Sequence, residues 1–119
     1  MLFDLGEVFW LEVEYEDDPN ESKRRPAIIV DKIENNLFIL VSTTSQSPSD
    51  PPSYFDQFKI PIYNWRKFGF PKPSWGLGYK LISLTDEELK SVVKKEDYLG
   101  CMSEIDLKYL SNEIVCMHQ

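Results

Sequence analysis

The sequence predicts a small, mainly β domain: a curled sheet or partly open barrel followed by a C-terminal helix. Three observations predict it. Four or five short apolar runs follow one another between turn residues, two helix-start signals lie after residue 84, and an apolar stripe at helical spacing closes the chain. With 119 residues, 42% of them hydrophobic and 28% charged, the chain carries enough apolar surface for one core and reads as one domain.

Each element has a local reason. Phe9, Leu11, Val13 and Tyr15 share one parity and Glu12, Glu14 and Glu16 the other, the alternation of a half-buried strand. Val8 and Trp10 break the polar parity, so that end is expected to be covered on both sides. Residues 16–23 are polar and contain Pro19, and are expected to form a mobile loop that gates the site. Arg24-Arg25-Pro26 then opens a strand, Ala27-Ile-Ile-Val30, which is apolar on both parities and so expected at the sheet centre. Glu34-Asn35-Asn36 reads as a hairpin turn, with asparagine tolerating positive φ. The returning strand is Leu37-Phe-Ile-Leu-Val41, leading into Ser42-Thr-Thr-Ser45.

Residues 46–53 read as an irregular loop, 54–62 as a strand weakened by Pro61, and 63–68 as one helical turn. After a turn-rich connection over 72–78, residues 79–84 form the last expected strand. Thr85 with Glu88 makes a capping box and Ser103 with Asp106 a second helix start. Leu107, Leu110, Ile114 and Met117 then recur at three- and four-residue spacing.

Composition bounds the function. Thirteen Lys and Arg against 20 Asp and Glu give a formal charge of −7, which argues against diffuse attraction to nucleic acid. No apolar run reaches the ~20 residues of a membrane helix. The opening Met1-Leu-Phe-Asp-Leu-Gly-Glu7 has no basic stretch of a secretory signal, so the expected location is the cytoplasm, with no membrane partner. Cys101 and Cys116 are expected to be reduced, small apolar fillers. His118, the one histidine, is penultimate and expected to be mobile, so a Ser-His-Asp triad and histidine-pair ribonuclease chemistry are both excluded. A Cys/His zinc site lacks ligands.

Five features in order resemble one family. Gly6-Glu-Val-Phe-Trp10 and Ser22-Lys-Arg-Arg-Pro-Ala-Ile-Ile-Val30 resemble the opening strands of PemK/MazF toxins. Val41-Ser-Thr-Thr-Ser45 stands where the family has an Ile-Thr-Ser or Cys-Thr-Thr strand end. Asn64-Trp-Arg-Lys-Phe-Gly-Phe-Pro-Lys-Pro-Ser74 is similar to the Asp-Trp-x-x-x-Gly-Leu-x-x-Pro-Ser stretch of one branch. Leu99-Gly-Cys-Met-Ser-Glu-Ile-Asp106 is similar to its last helix start. The resemblance implies an SH3-like small barrel of PemK/CcdB type with short helices and a C-terminal helix, usually a homodimer. It implies the toxin half of a toxin–antitoxin pair, held by a small antitoxin peptide. It also implies metal-independent, sequence-selective cleavage of single-stranded RNA through a 2′,3′-cyclic phosphate, with no cofactor.

Carried over position by position, the resemblance puts the catalytic arginine at Arg25, which Pro26 restricts to extended geometry. The catalytic hydroxyl falls on Thr44 by the Ile-Thr-Ser register, with Ser45 beside it, or on Thr43 by the Cys-Thr-Thr register. A shift of one residue turns a strand side chain to the other face, so one of the two faces the phosphate. Lys23 and Arg24 are expected to position phosphate. Lys80 matches a basic position of the family, and Trp75 and Trp65 are each candidates either for base stacking or for an anchor in the core or dimer interface. Gly76-Leu77-Gly78 departs from the pattern, replacing a stretch that often carries an arginine. The alternatives are a growth inhibitor that acts by binding protein, as gyrase-directed relatives of the fold do, and an inactive copy.

Overall fold

The structure, a computed structural model, describes residues 2–14, 22–34 and 36–119, with the backbone alone at Glu14 and Ser22. The expected loop 16–23 falls largely outside the described residues, as do Tyr15 and Asn35. Six antiparallel strands form one curled, half-barrel sheet: β1 (Glu7–Glu14), β2 (Ser22–Ile33), β3 (Leu37–Thr44), β4 (Lys59–Pro61), β5 (Trp75–Thr85) and β6 (Tyr98–Cys101). Their order is β4-β5-β3-β2-β1-β6. Two helices complete the chain, α1 (Asp86–Val92) and α2 (Glu104–Met117).

Both faces of the sheet are covered, which explains why β2 is apolar on both parities. Phe9, Leu11, Val13, Ala27, Ile29, Phe38 and Leu40 face one core together with Phe3, Leu89 and Val93. Val8, Ile28 and Val41 face a second core with Ile60, Ile62, Phe68, Phe70, Leu110 and Ile114. Val8 joining the second core bears out the expected double covering at that end of β1. Leu107 and Met117 pack against the same core, so the stripe on α2 is the face it buries. The caps form as the sequence indicates. Glu88 N–H donates to Thr85 Oγ1 at 3.1 Å while Thr85 N–H donates to Glu88 Oε1 at 3.0 Å, and Asp106 N–H donates to Ser103 Oγ at 3.2 Å.

Several elements differ from expectation. β2 begins four residues before Pro26, which pairs with Trp10 of β1. Within a strand residue the N and C=O project to the same side, and the Pro26 carbonyl accepts a bond from Thr43 of β3. The missing N–H therefore faces β3 just beyond Ala27, the last β2 residue paired there, and costs the β1 ladder nothing. Among the described residues of the β2–β3 turn, which leave out Asn35, positive φ falls on Glu34, at 58°.

The strand expected over 54–62 is a 3-10 turn, Tyr54–Phe58, followed by the three-residue β4. Asp56 makes the turn the better solution, because its carboxylate accepts from Ser49 N–H, Ser49 Oγ and Ser53 N–H and pairs with Lys59 at 2.8 Å. Lys59 above all, then the serine donors, hold that carboxyl far below the usual carboxylate range. Pro61 is tolerated because β4 is an edge strand.

Residues 63–69 form overlapping turns closed by Lys67 N–H to Asn64 O and Phe68 N–H to Trp65 O. Trp65 packs on the second core rather than standing open for a base. The edge strand β6 was not expected. Cys101 and Cys116 are free but exposed, so neither is a core filler. His118 is anchored, its Nε2 donating to the Gly78 carbonyl at 2.8 Å. Among the described residues no helix is long and apolar enough to cross a membrane.

Candidate functional site: a cationic cleft joined to an aromatic one

Three segments meet at one end of the sheet: the start of β2, the end of β3 and the turn before β5. Pairing of Ala27 with Ser42 sets the residues just outside that pair, Arg25 and Pro26 on one strand and Thr43 and Thr44 on the other, side by side. They line a cleft of about 220 Å³ together with Trp10, Lys23, Arg24, Ser45, Lys72 and Ser74. Its lining holds four cations (Lys23, Arg24, Arg25, Lys72) and, among the described residues, no carboxylate. Among the described residues the lining of this cleft is thus positive, although the chain as a whole carries −7.

The two threonines are not equivalent. Thr43 is 1% exposed, and its hydroxyl donates to the Pro26 carbonyl at 2.8 Å, so its proton is committed to the backbone. Thr44, half-buried, accepts the Gln46 N–H at 3.1 Å on one lone pair, which leaves its O–H hydrogen to donate into the cleft. Arg25 is half-buried on β2, and Arg24, one residue earlier, reaches the other way to pair with Asp97. The Lys94 N–H, with Arg24 adding to it, holds the Asp97 carboxyl below its ordinary range. Arg24 is thereby tied to the turn before β6 while still bordering the cleft.

A second cleft of about 270 Å³ adjoins the first. Arg25 and Thr44 line both, and the second is completed by Gln46, Ser47, Ser49, Ser53, Phe55, Asp56, Lys59, Leu77 and Tyr79. Arg25 and Thr44 therefore stand where the two clefts, together called the groove, adjoin. A third, larger cleft is lined by Leu11, Val13, Leu81 and Val92 with Glu12, Arg24 and Lys80.

Of the sequence-derived residues, Lys23, Arg24, Arg25, Thr43, Thr44 and Ser45 come together in the cationic cleft. Lys80 does not; it borders the third cleft, which shares Arg24 with the first. Trp75 is half-buried at the start of β5, paired with Thr44 and Pro61, and lines neither groove cleft. Lys72 was missed. The Pro71-Lys72-Pro73-Ser74 run was its signal: Ser74 Oγ donates to the Lys72 carbonyl at 2.9 Å and fixes the turn that presents it. The Phe55 and Tyr79 side of the groove had no local signal at all.

The glycines of the Gly76-Leu77-Gly78 departure have a packing cause. A Cβ on Gly78 would lie 2.6 Å from Met117 Sδ, and one on Gly76 would lie 3.2 Å from Leu110 Cδ1, so this stretch is the bed on which α2 rests. Among the described residues no three His, Cys, Asp or Glu side chains converge as a ligand set. No family model matches the chain, and no curated protein matches it.

Proposed function

We propose that the protein is the toxin of a toxin–antitoxin pair with the SH3-like barrel of PemK/MazF toxins, an endoribonuclease that cuts single-stranded RNA through a 2′,3′-cyclic phosphate. One observation carries the reading: Arg25 and Thr44, two residues that the ordered motifs single out, share the junction of a groove whose one half is cationic. The reaction needs the ribose 2′-hydroxyl to lose its proton, here to solvent water, the phosphorane to be stabilised and the 5′-oxygen to take a proton back from water as its bond to phosphorus breaks. The Arg25 guanidinium offers a planar fork of donors to two phosphate oxygens as charge builds there. The Thr44 hydroxyl adds a third donor from the opposite strand, and Lys23 and Lys72 hold the flanking phosphates. Lys72 supplies from the turn before β5 a cation in place of the arginine that the glycine stretch lacks. A homodimer and an antitoxin peptide that competes with RNA for the groove complete the proposal.

The test is purified protein acting on a long single-stranded RNA in chelator. Fragments ending in cyclic phosphate and 5′-hydroxyl are expected, with Arg25→Ala slowing cleavage by about 10²–10³-fold while the fold is kept. Growth arrest retained in Arg25→Ala with no RNA cut would instead favour action by protein binding.

A further inference from the structure

The second cleft differs in chemistry from the first. Its one cation besides Arg25, Lys59, pairs with Asp56, so it is close to neutral, and its walls are hydroxyls, an amide and aromatic rings. Phe55 stands there with 49% of its surface exposed. The ring has aromatic neighbours on two sides: it lies 5.1 Å from the exposed Tyr54 edge-on and 5.1 Å from the half-buried Tyr79, tilted by 40°. Phe58 supports the same cluster from 5.9 Å behind Tyr79. A half-exposed aromatic ring already packed against neighbours, with only two side-chain torsions, loses little conformational freedom when something covers it.

We propose that Phe55, braced by Tyr54 and Tyr79, is a stacking platform for the nucleobase that flanks the phosphate held at Arg25 and Thr44. The inference rests on the RNA-cleaving reading of the groove. A nucleotide alternates an anionic phosphate with a flat, neutral base, and the groove alternates a cationic cleft with a neutral aromatic one in the same way. The Asp56 carboxylate is buried and turned to its own partners, Ser49 and Ser53 on Oδ2 and Lys59 on Oδ1, rather than to a base edge. The platform itself engages any base by its π-face, purines above pyrimidines.

The test uses the intact protein and a short single-stranded RNA containing its mapped cleavage site, blocked by 2′-O-methyl at the scissile nucleotide for binding and unblocked for kinetics. Phe55→Ala is expected to weaken binding roughly tenfold and to act on KM rather than kcat, with Phe55→Trp restoring it and Phe55→Leu not. An abasic residue on one side of the scissile phosphate should weaken the wild type equally and leave Phe55→Ala unaffected. Binding within twofold of wild type in Phe55→Ala, or full affinity in Phe55→Leu, overturns the platform while Arg25-dependent cleavage stands. A wild-type protein that neither binds nor cuts any single-stranded RNA overturns the platform and the nuclease reading together.

Discussion

At the scale of single residues, the sequence left Thr43 and Thr44 as alternatives because their difference is a matter of register, which pairing with β2 and β5 decides. The structure gives each threonine a separate bond. Thr43 spends its proton on the Pro26 carbonyl, and Thr44 keeps its own for the groove. The Thr43→Val variant strips a part-buried carbonyl of its donor and should cost about 1 kcal/mol in urea unfolding. A variant as stable as the wild type would show that this hydroxyl does not hold the strand ends together. Arg25 was singled out by the resemblance of its Arg-Pro-Ala strand, the proline beside it only restricting its backbone to extended geometry. Phe55 was not, because an aromatic residue after Pro51-Pro52-Ser53 has no signature until the fold sets Tyr79 against it.

At the scale of elements, signals closed within a few residues were legible and those that need a distant partner were not. Both helix caps form from residues three apart. β6, by contrast, exists because β1 offers an edge, and its Gly100 makes contact with the turn over 63–69. A Cβ there would lie 2.5 Å from the Phe68 carbonyl oxygen, and Gly69, at φ 87°, faces Leu99 O as closely. These are backbone atoms that cannot swing aside. Gly100→Ala should therefore destabilise the protein by about 2 kcal/mol or more, read from thermal or urea unfolding. A loss under a few tenths would mean that the turn and the strand are not locked together. The strand expected over 54–62 failed for a related reason: Asp56 gathers donors from Ser49 and Ser53 into a turn, and a period-2 pattern does not register that.

At the scale of the whole molecule, an acidic body with a small cationic cleft predicts RNA binding that is weak and local. Three or four cations reach the groove, so log affinity should fall with log salt at a slope of about −2 to −3. A slope steeper than about −5 would require a charged surface far larger than this cleft. Pairing of β3 with both β2 and β5 is what brings the start of β2 and the end of β3 beside the turn before β5, and no stretch of sequence shows that convergence by itself. The most direct measurement of joint action at one phosphate is a double-mutant cycle on the RNA cleavage rate, with Arg25→Ala, Thr44→Val and the two combined. Both single variants should be slowed, and the double variant should lose clearly less than the product of the two losses. Wild-type rates in either single variant, or losses that simply multiply, would contradict the account.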